Sequence, residues 1–209
     1  FCFMKTNQDN EQLPIFGYIS TKSGLGMTIA APSKGSKVYL ATQLKGFVYE
    51  TGKTFGLLQT DNERALKAVI QEVQKAIPGL KARYSARNSS ASNAYVERFF
   101  GTLEGQIRAF RIHVECSYNV TITIKHAILP WMIRHAGFIV SRFALHSDGF
   151  TSYQRHFQRA YQLPLCEFAE QVLFQPLPRL KGHKDKLDSK WIKGLWLGRT
   201  TDTGENICG

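Results

Sequence analysis

Phe55-Gly56-Leu57-Leu58-Gln59-Thr60-Asp61-Asn62 is a short apolar run that ends on a carboxylate. Asn93-Ala94-Tyr95-Val96-Glu97-Arg98-Phe99-Phe100 puts a second carboxylate at the opening of a helical pattern. Thirty-five residues lie between Asp61 and Glu97. The first stretch has the length of a buried strand, and 62–77 reads as a helix. Its apolar stripe is Leu66, Val69, Ile70, Val73 and Ile77, and Pro78-Gly79 stops it. Asp61 therefore stands at a strand end before a helix, where open α/β sheets place functional side chains.

Outward from this pair, 1–5 is an apolar strand candidate and 6–14 is polar and turn-like. The stretches 15–21 and 26–31 are β-rich and joined by Lys22-Ser23-Gly24, which reads as a hairpin. Helical spacing covers 39–49, and 80–84 is a further strand. The polar segment 85–92 is a loop, followed by a helix over 93–112. A long apolar helix spans 126–143, with Pro130 tolerated near its first turn, and 151–160 forms a short extra helix. Beyond Leu165 the pattern changes to strands over 168–174 and 191–197. Between them lies a basic loop with Arg179, Lys181, Lys184, Lys186 and Lys190. The order β-β-β-α-β-α-β-α-α predicts a mixed α/β core over 1–160 and a small β module over 161–209.

The 209 residues are 43% hydrophobic and 21% charged, ordinary values for a globular chain. Lys plus Arg is 27 against 16 acids, a net charge of +11. That balance favours a polyanionic partner such as nucleic acid. Cys2, Cys116, Cys166 and Cys208 are scattered, with no Cys-x-x-Cys pair and no zinc spacing to the six histidines. They read as reduced, mostly buried thiols. No apolar run reaches transmembrane length, and no membrane partner is expected. The chain opens at Phe1 without Met and stops within the strand-like Ile207-Cys208-Gly209. A segment of a longer polyprotein is the expectation.

Taken alone, Asp61 suits a helix N-cap and Glu97 suits a helix start through the macrodipole. Together, Thr60-Asp61-Asn62 after a strand, the 35-residue gap, and Asn93-x-x-Val96-Glu97-Arg98 entering an aromatic helix resemble the catalytic core of retroviral and retrotransposon integrases. That family carries two aspartates and a glutamate, the last two separated by 35 residues. Trp131 to Arg142, then Asp148-Gly149-x-Thr151-x-Tyr153, is similar to the tail of copia-type cores. Lys186-Leu187-Asp188 with Gly194-Leu195-Trp196-Leu197-Gly198 resembles the small β module after them.

The resemblance implies an RNase H-like fold, a mixed five-stranded sheet flanked by helices, with an SH3-like module behind it. It implies metal-dependent DNA 3′-end cleavage and strand transfer for retrotransposon integration. Asp61 and Glu97 would be catalytic and would ligate Mg²⁺ or Mn²⁺, because hard ions take oxygen ligands from converging elements. The partners would be element-end and target DNA and further copies of the chain. The site of action would be the nucleus, after synthesis in a cytoplasmic polyprotein.

Three departures stand out. The family's first aspartate is missing from the opening strand. Its place would be one position upstream of Phe1-Cys2-Phe3, and Asp9 is the nearby substitute within the chain. Ala94 stands where many relatives carry Gly, which stiffens the loop. Gly101 and Glu104 stand where retroviral relatives place DNA-contacting lysines.

Lys81, Arg83, Arg87 and Asn93 flank the site loop, and Arg98 and Arg108 follow on the site helix as candidate DNA contacts. Arg108 is about three turns beyond Glu97 and shares its face. Trp131, Trp191 and Trp196 read as core, and His135 and His156 as structural or surface residues. The rival readings are a non-catalytic DNA-binding module or an assembly domain from a decayed or domesticated element, and an RNase H-type nuclease.

The charge balance predicts sequence-tolerant, salt-sensitive DNA binding. Log affinity should fall against log salt with a slope of about −0.9 per phosphate contact. A fluorescence titration that finds no binding at low salt would favour the assembly domain.

Overall fold

In the computed structural model, residues 2–5, 12–33, 35–85, 94–176 and 189–209 are described. Three strands, β1 (Cys2–Lys5), β2 (Gln12–Ile19) and β3 (Gly26–Ala30), form an antiparallel meander. The expected hairpin is present. Its turn closes with the Ser20 amide on the Leu25 carbonyl at 2.8 Å and the Gly24 amide on the Ser20 carbonyl at 2.7 Å. Helix α1 (Lys37–Glu50) follows, then β4 (Gly56–Thr60), α2 (Arg64–Ala76) and β5 (Leu80–Tyr84). β4 and β5 pair in parallel from Gly56 opposite Leu80 to Thr60 opposite Tyr84. A parallel pair needs a crossover, and α2 supplies it. Then come α3 (Ala94–Tyr118), α4 (Leu129–Phe143) and the short α5 (Ser152–Phe157).

Two hydrophobic cores lie on opposite faces of the strands. Ile15 of β2 packs with α3 and α4, and its neighbour Phe16 packs with α1 and α2. Ile29 and Ala30 of β3 divide the same way. This is the two-residue period of a strand read on both faces, and it gives helix layers on either side of the sheet. Helix α4 sits close on β3, where a Cβ on Gly137 would collide with the Thr28 hydroxyl. Thr28 Oγ1 donates to the Ile133 carbonyl at 2.8 Å, which satisfies a buried hydroxyl at the contact.

The C-terminal unit is β6 (Gln171–Phe174), β7 (Ile192–Arg199) and β8 (Asn206–Cys208), an antiparallel sheet. It is fastened to the core through aromatic rings. Trp196 of β7, 1% exposed, meets the His135 ring edge-on at 5.1 Å. His135 also stacks with Phe110, Phe138 and Phe168 at 5.3, 5.8 and 5.4 Å. Nearby, buried Arg142 of α4 pairs with Glu50 of α1 at 3.0 Å, and its guanidinium lies 3.9 Å from the centre of the Phe138 ring.

Among the described residues the hydrogen bonds join the first five strands as a three-stranded and a two-stranded sheet. Several expectations are corrected. β2 begins at Gln12, because pairing with β1 recruits its polar start, Gln12 lying opposite Lys5. α3 runs on to Tyr118, since Val114 and Tyr118 pack against the second core. Of the three tryptophans only Trp196 is core; Trp131 is 36% and Trp191 55% exposed. Cys116 and Cys166 are exposed, and Cys2 and Cys208 half-buried, so none is a core thiol. The predicted loop at 85–92, apart from Ser85, and most of the basic loop at 179–190 fall outside the described residues. No helix among the described residues is long and apolar enough to cross a membrane.

Burial, with Arg142 adding to it, pushes the His135 pKa down to about 4. A base with a depressed folded pKa contributes stability that is complete above its unfolded value, near 6.5, and is lost as pH falls toward 4. Urea melts should therefore show stability falling across pH 6.5 to 4 by as much as about 3 kcal/mol from this group. In His135→Phe the slope should be shallower over that window; an unchanged slope would assign it elsewhere.

Candidate active site

β4 delivers Asp61. Leu58 is buried in the first core, and three residues later the chain leaves the sheet with Asp61 exposed. The N-cap position of α2 is Glu63, two residues on, so Asp61 does not occupy the cap position that its sequence context suggested. β5 fixes Asp61 from the side. The Ser85 amide donates to the Thr60 carbonyl at 2.9 Å, extending the parallel pairing by one residue. The Ser85 hydroxyl donates to Asp61 Oδ1 at 3.1 Å.

Helix α3 delivers Glu97, exposed in its first turn, where the helix dipole favours a negative charge. Phe99, Phe100, Leu103 and Ile107 bury the helix and set its rotation. Asp61 and Glu97, from different elements, line one cleft of about 190 Å³. Phe16, Leu58 and Phe100 form its apolar floor, with Gly17 beside them. A Cβ on Gly17 would lie 2.7 Å from Phe100 Cζ, so the approach of α3 to β2 needs glycine there.

Two carboxylates converging on a small cleft give hard oxygen donors of the kind that Mg²⁺ or Mn²⁺ takes. Among the described residues, no group of three His, Cys, Asp or Glu side chains gathers anywhere. Asp9, the in-chain substitute for a further carboxylate, is outside the described residues, as are Arg87 and Asn93.

The remaining candidates separate. Lys81 and Arg83 are exposed on β5. Arg83 lines a neighbouring groove with Lys22, Lys53 and Tyr95, a group that sequence reading did not assemble. The hairpin turn, the segment after α1 and the start of α3 supply those three residues, and no local pattern links them. Arg98 is exposed one residue past Glu97, its Nε on the Ala94 carbonyl at 3.3 Å and its guanidinium 5.0 Å from the centre of the Tyr95 ring. Arg108 is exposed further along α3. Glu104, where retroviral relatives were expected to carry a lysine, accepts the Cys2 thiol at 3.3 Å.

No family model and no curated protein matches the chain. Solved structures do. The HTLV-2 integrase catalytic core domain in complex with magnesium, in its trimeric form, aligns with a TM-score of 0.54 at 17% identity, covering 74% of this chain and 90% of that one. Its dimeric form aligns with a TM-score of 0.53 at the same identity and coverage. A simian T-cell lymphotropic virus intasome in complex with the PP2A regulatory subunit B56 gamma gives a TM-score of 0.57 at 13% identity, over 96% of this chain and 68% of that one. At these identities the likeness is one of fold. The chain has the mixed α/β fold of a retroviral integrase catalytic core.

Because both carboxylates are exposed, Asp61→Asn and Glu97→Gln should change stability by less than about 0.5 kcal/mol. Thermal melts can check this. A large loss would make the carboxylates structural supports of the cleft.

Proposed function

We propose that the chain is the catalytic core of a copia-like retrotransposon integrase, a polynucleotidyl transferase that cleaves DNA 3′ ends and joins them to target DNA. One observation carries this reading: a fold like that of integrase cores brings Asp61 and Glu97, from separate elements, into one cleft. Asp61 and Glu97 would hold Mg²⁺ or Mn²⁺. When bound, such ions supply Lewis-acid stabilisation of the attacking and leaving oxygens of a phosphodiester. The chain's own part is to fix the donors. Ser85 orients Asp61 from the end of β5, the first turn of α3 presents Glu97, and the apolar floor excludes water beneath them. Lys81, Arg83, Arg98 and Arg108 would position the DNA backbone, and Arg87 and Asn93 would do so from the site loop.

The reading carries with it a single five-stranded sheet and an SH3-like role for β6–β8. The cleft supports the first. It lies between β2, paired with β3 over 15–19 but with β1 only over 12–15, and β4, paired with β5 on one edge. Dimers or higher multimers, action on chromosomal DNA in the nucleus and origin in a polyprotein complete the proposal.

The test is strand transfer with Mn²⁺ and an oligonucleotide duplex, using the chain within its full reading frame. Asp61→Asn and Glu97→Gln should each cut the rate by on the order of 10²–10³-fold, with DNA affinity kept within about threefold. Undiminished activity in either variant would remove these residues from the chemistry. A folded wild type that binds DNA without transfer activity would support the non-catalytic module.

A further inference from the structure

Helix α3 separates two cavities of opposite character. Val96, Glu97 and Phe100 face the acid cleft, while Tyr95, Arg98, Phe99 and Thr102 face a second cavity of about 360 Å³. The spacings 95, 98, 99 and 102 are one face of a 3.6-residue helix, turned away from the Glu97 face. The far wall comes from the segment between α4 and α5 and from α5 itself, with His146, Ser152 and Arg155. No Asp or Glu is among the lining residues. Arg98, His146 and Arg155 bring nitrogen donors, and Tyr95, Thr102 and Ser152 bring hydroxyls.

The cavity is held in shape by its own bonds. His146 Nε2 and Ser152 Oγ are 2.7 Å apart. The 146–150 turn is closed by the His146 amide on the Phe150 carbonyl at 3.0 Å and the Gly149 amide on the His146 carbonyl at 2.9 Å. The β2–β3 turn packs directly on this pair. Gly24 has φ +78°, and a Cβ there would lie 2.8 Å from Ser152 Oγ. Asp148 pairs with Arg155 at 2.7 Å and offsets one charge of the cluster, which leaves Arg98 as the excess cation.

We propose that this cavity seats a backbone phosphodiester of the DNA strand whose reacting bond lies in the acid cleft. The proposal rests on the integrase reading of that cleft. A phosphodiester presents acceptors only, and a donor-lined cavity without acids suits it. A polymer rather than a free anion is favoured by continuity. Tyr95 lines both this cavity and the groove with Lys22, Lys53 and Arg83, and that groove shares Gly17 and Val96 with the acid cleft. Cations therefore run from the acid cleft to the cavity. A neutral DNA-facing contact would come from the exposed Thr102.

The experiment uses the folded chain labelled with ¹⁵N-histidine, a DNA oligonucleotide, and inorganic phosphate as a separate probe. The oligonucleotide should move the His146 ring resonances, and phosphate at matched phosphate concentration should not. Arg98→Gln should weaken oligonucleotide binding by about tenfold and flatten the salt slope by about 0.9. Thr102→Glu, at an exposed helix position, should weaken it at least as much. Lys75→Gln on α2 makes the same charge change outside the cavity and should stay within about twofold. His146 resonances unmoved at saturating DNA, or equal losses in Arg98→Gln and Lys75→Gln, would overturn the seat. Phosphate acting as strongly as DNA would overturn it in favour of a small-anion site. These outcomes leave the metal-dependent transfer assay on Asp61→Asn and Glu97→Gln as a separate readout. Transfer lost in those variants and intact in Thr102→Glu would sink the seat and spare the reading of the cleft.

Discussion

Strand β2 sends successive side chains into two different cores, and the rest of the molecule depends on that alternation. Ile15 belongs to the core under α3 and α4, and Phe16 to the core under α1 and α2. A one-residue slip would exchange the two faces, so both cores hold the register together. The same strand carries Gly17, whose lack of a side chain lets Phe100 and α3 come close. Register on β2 thus fixes where α3 lies, and α3 fixes Glu97.

Asp61 is set by a different constraint. A parallel pair joined by a helix must end both strands at one edge of the sheet, and there Thr60, Asp61 and Ser85 meet. The acid cleft is the meeting of these two constraints, one from the antiparallel meander and one from the parallel crossover. Charge is distributed accordingly. The carboxylates sit on one side of α3, and Arg98 with His146 and Arg155 on the other. The chain is basic overall, and its acidic cleft is local.

The attachment of the C-terminal unit combines apolar stacking with buried charge. Trp196 and His135 make the aromatic joint, while Arg142 and Glu50 make an ion pair beside it. Burial raises the pKa of Glu50, against the pull of Arg142, and lowers that of Arg142, so desolvation works against both charges. The aromatic contacts supply adhesion there, and Glu50 also hydrogen-bonds Thr201 of the C-terminal unit.

Most of the elements could be read from the chain alone. Alternation and 3.6-residue stripes are local consequences of backbone geometry, so the hairpin, α2, β5 and the start of α3 were legible, and the 35-residue interval singled out Asp61 and Glu97, which line one cleft. Other features were not. Trp131 and Trp191 have the composition of core residues but lie on outward faces, because burial depends on what packs opposite. The division into two hydrogen-bonded sheets depends on distance between strand edges, which no run of residues encodes. Tertiary structure alone gathered Lys22, Lys53, Tyr95 and Arg83 in one groove, and His146, Ser152 and Arg155 against Arg98 in one cavity. These sets come from elements far apart in the chain. Side-chain donors act through space, so only the packing of α3 against β2 and α4 could bring them together.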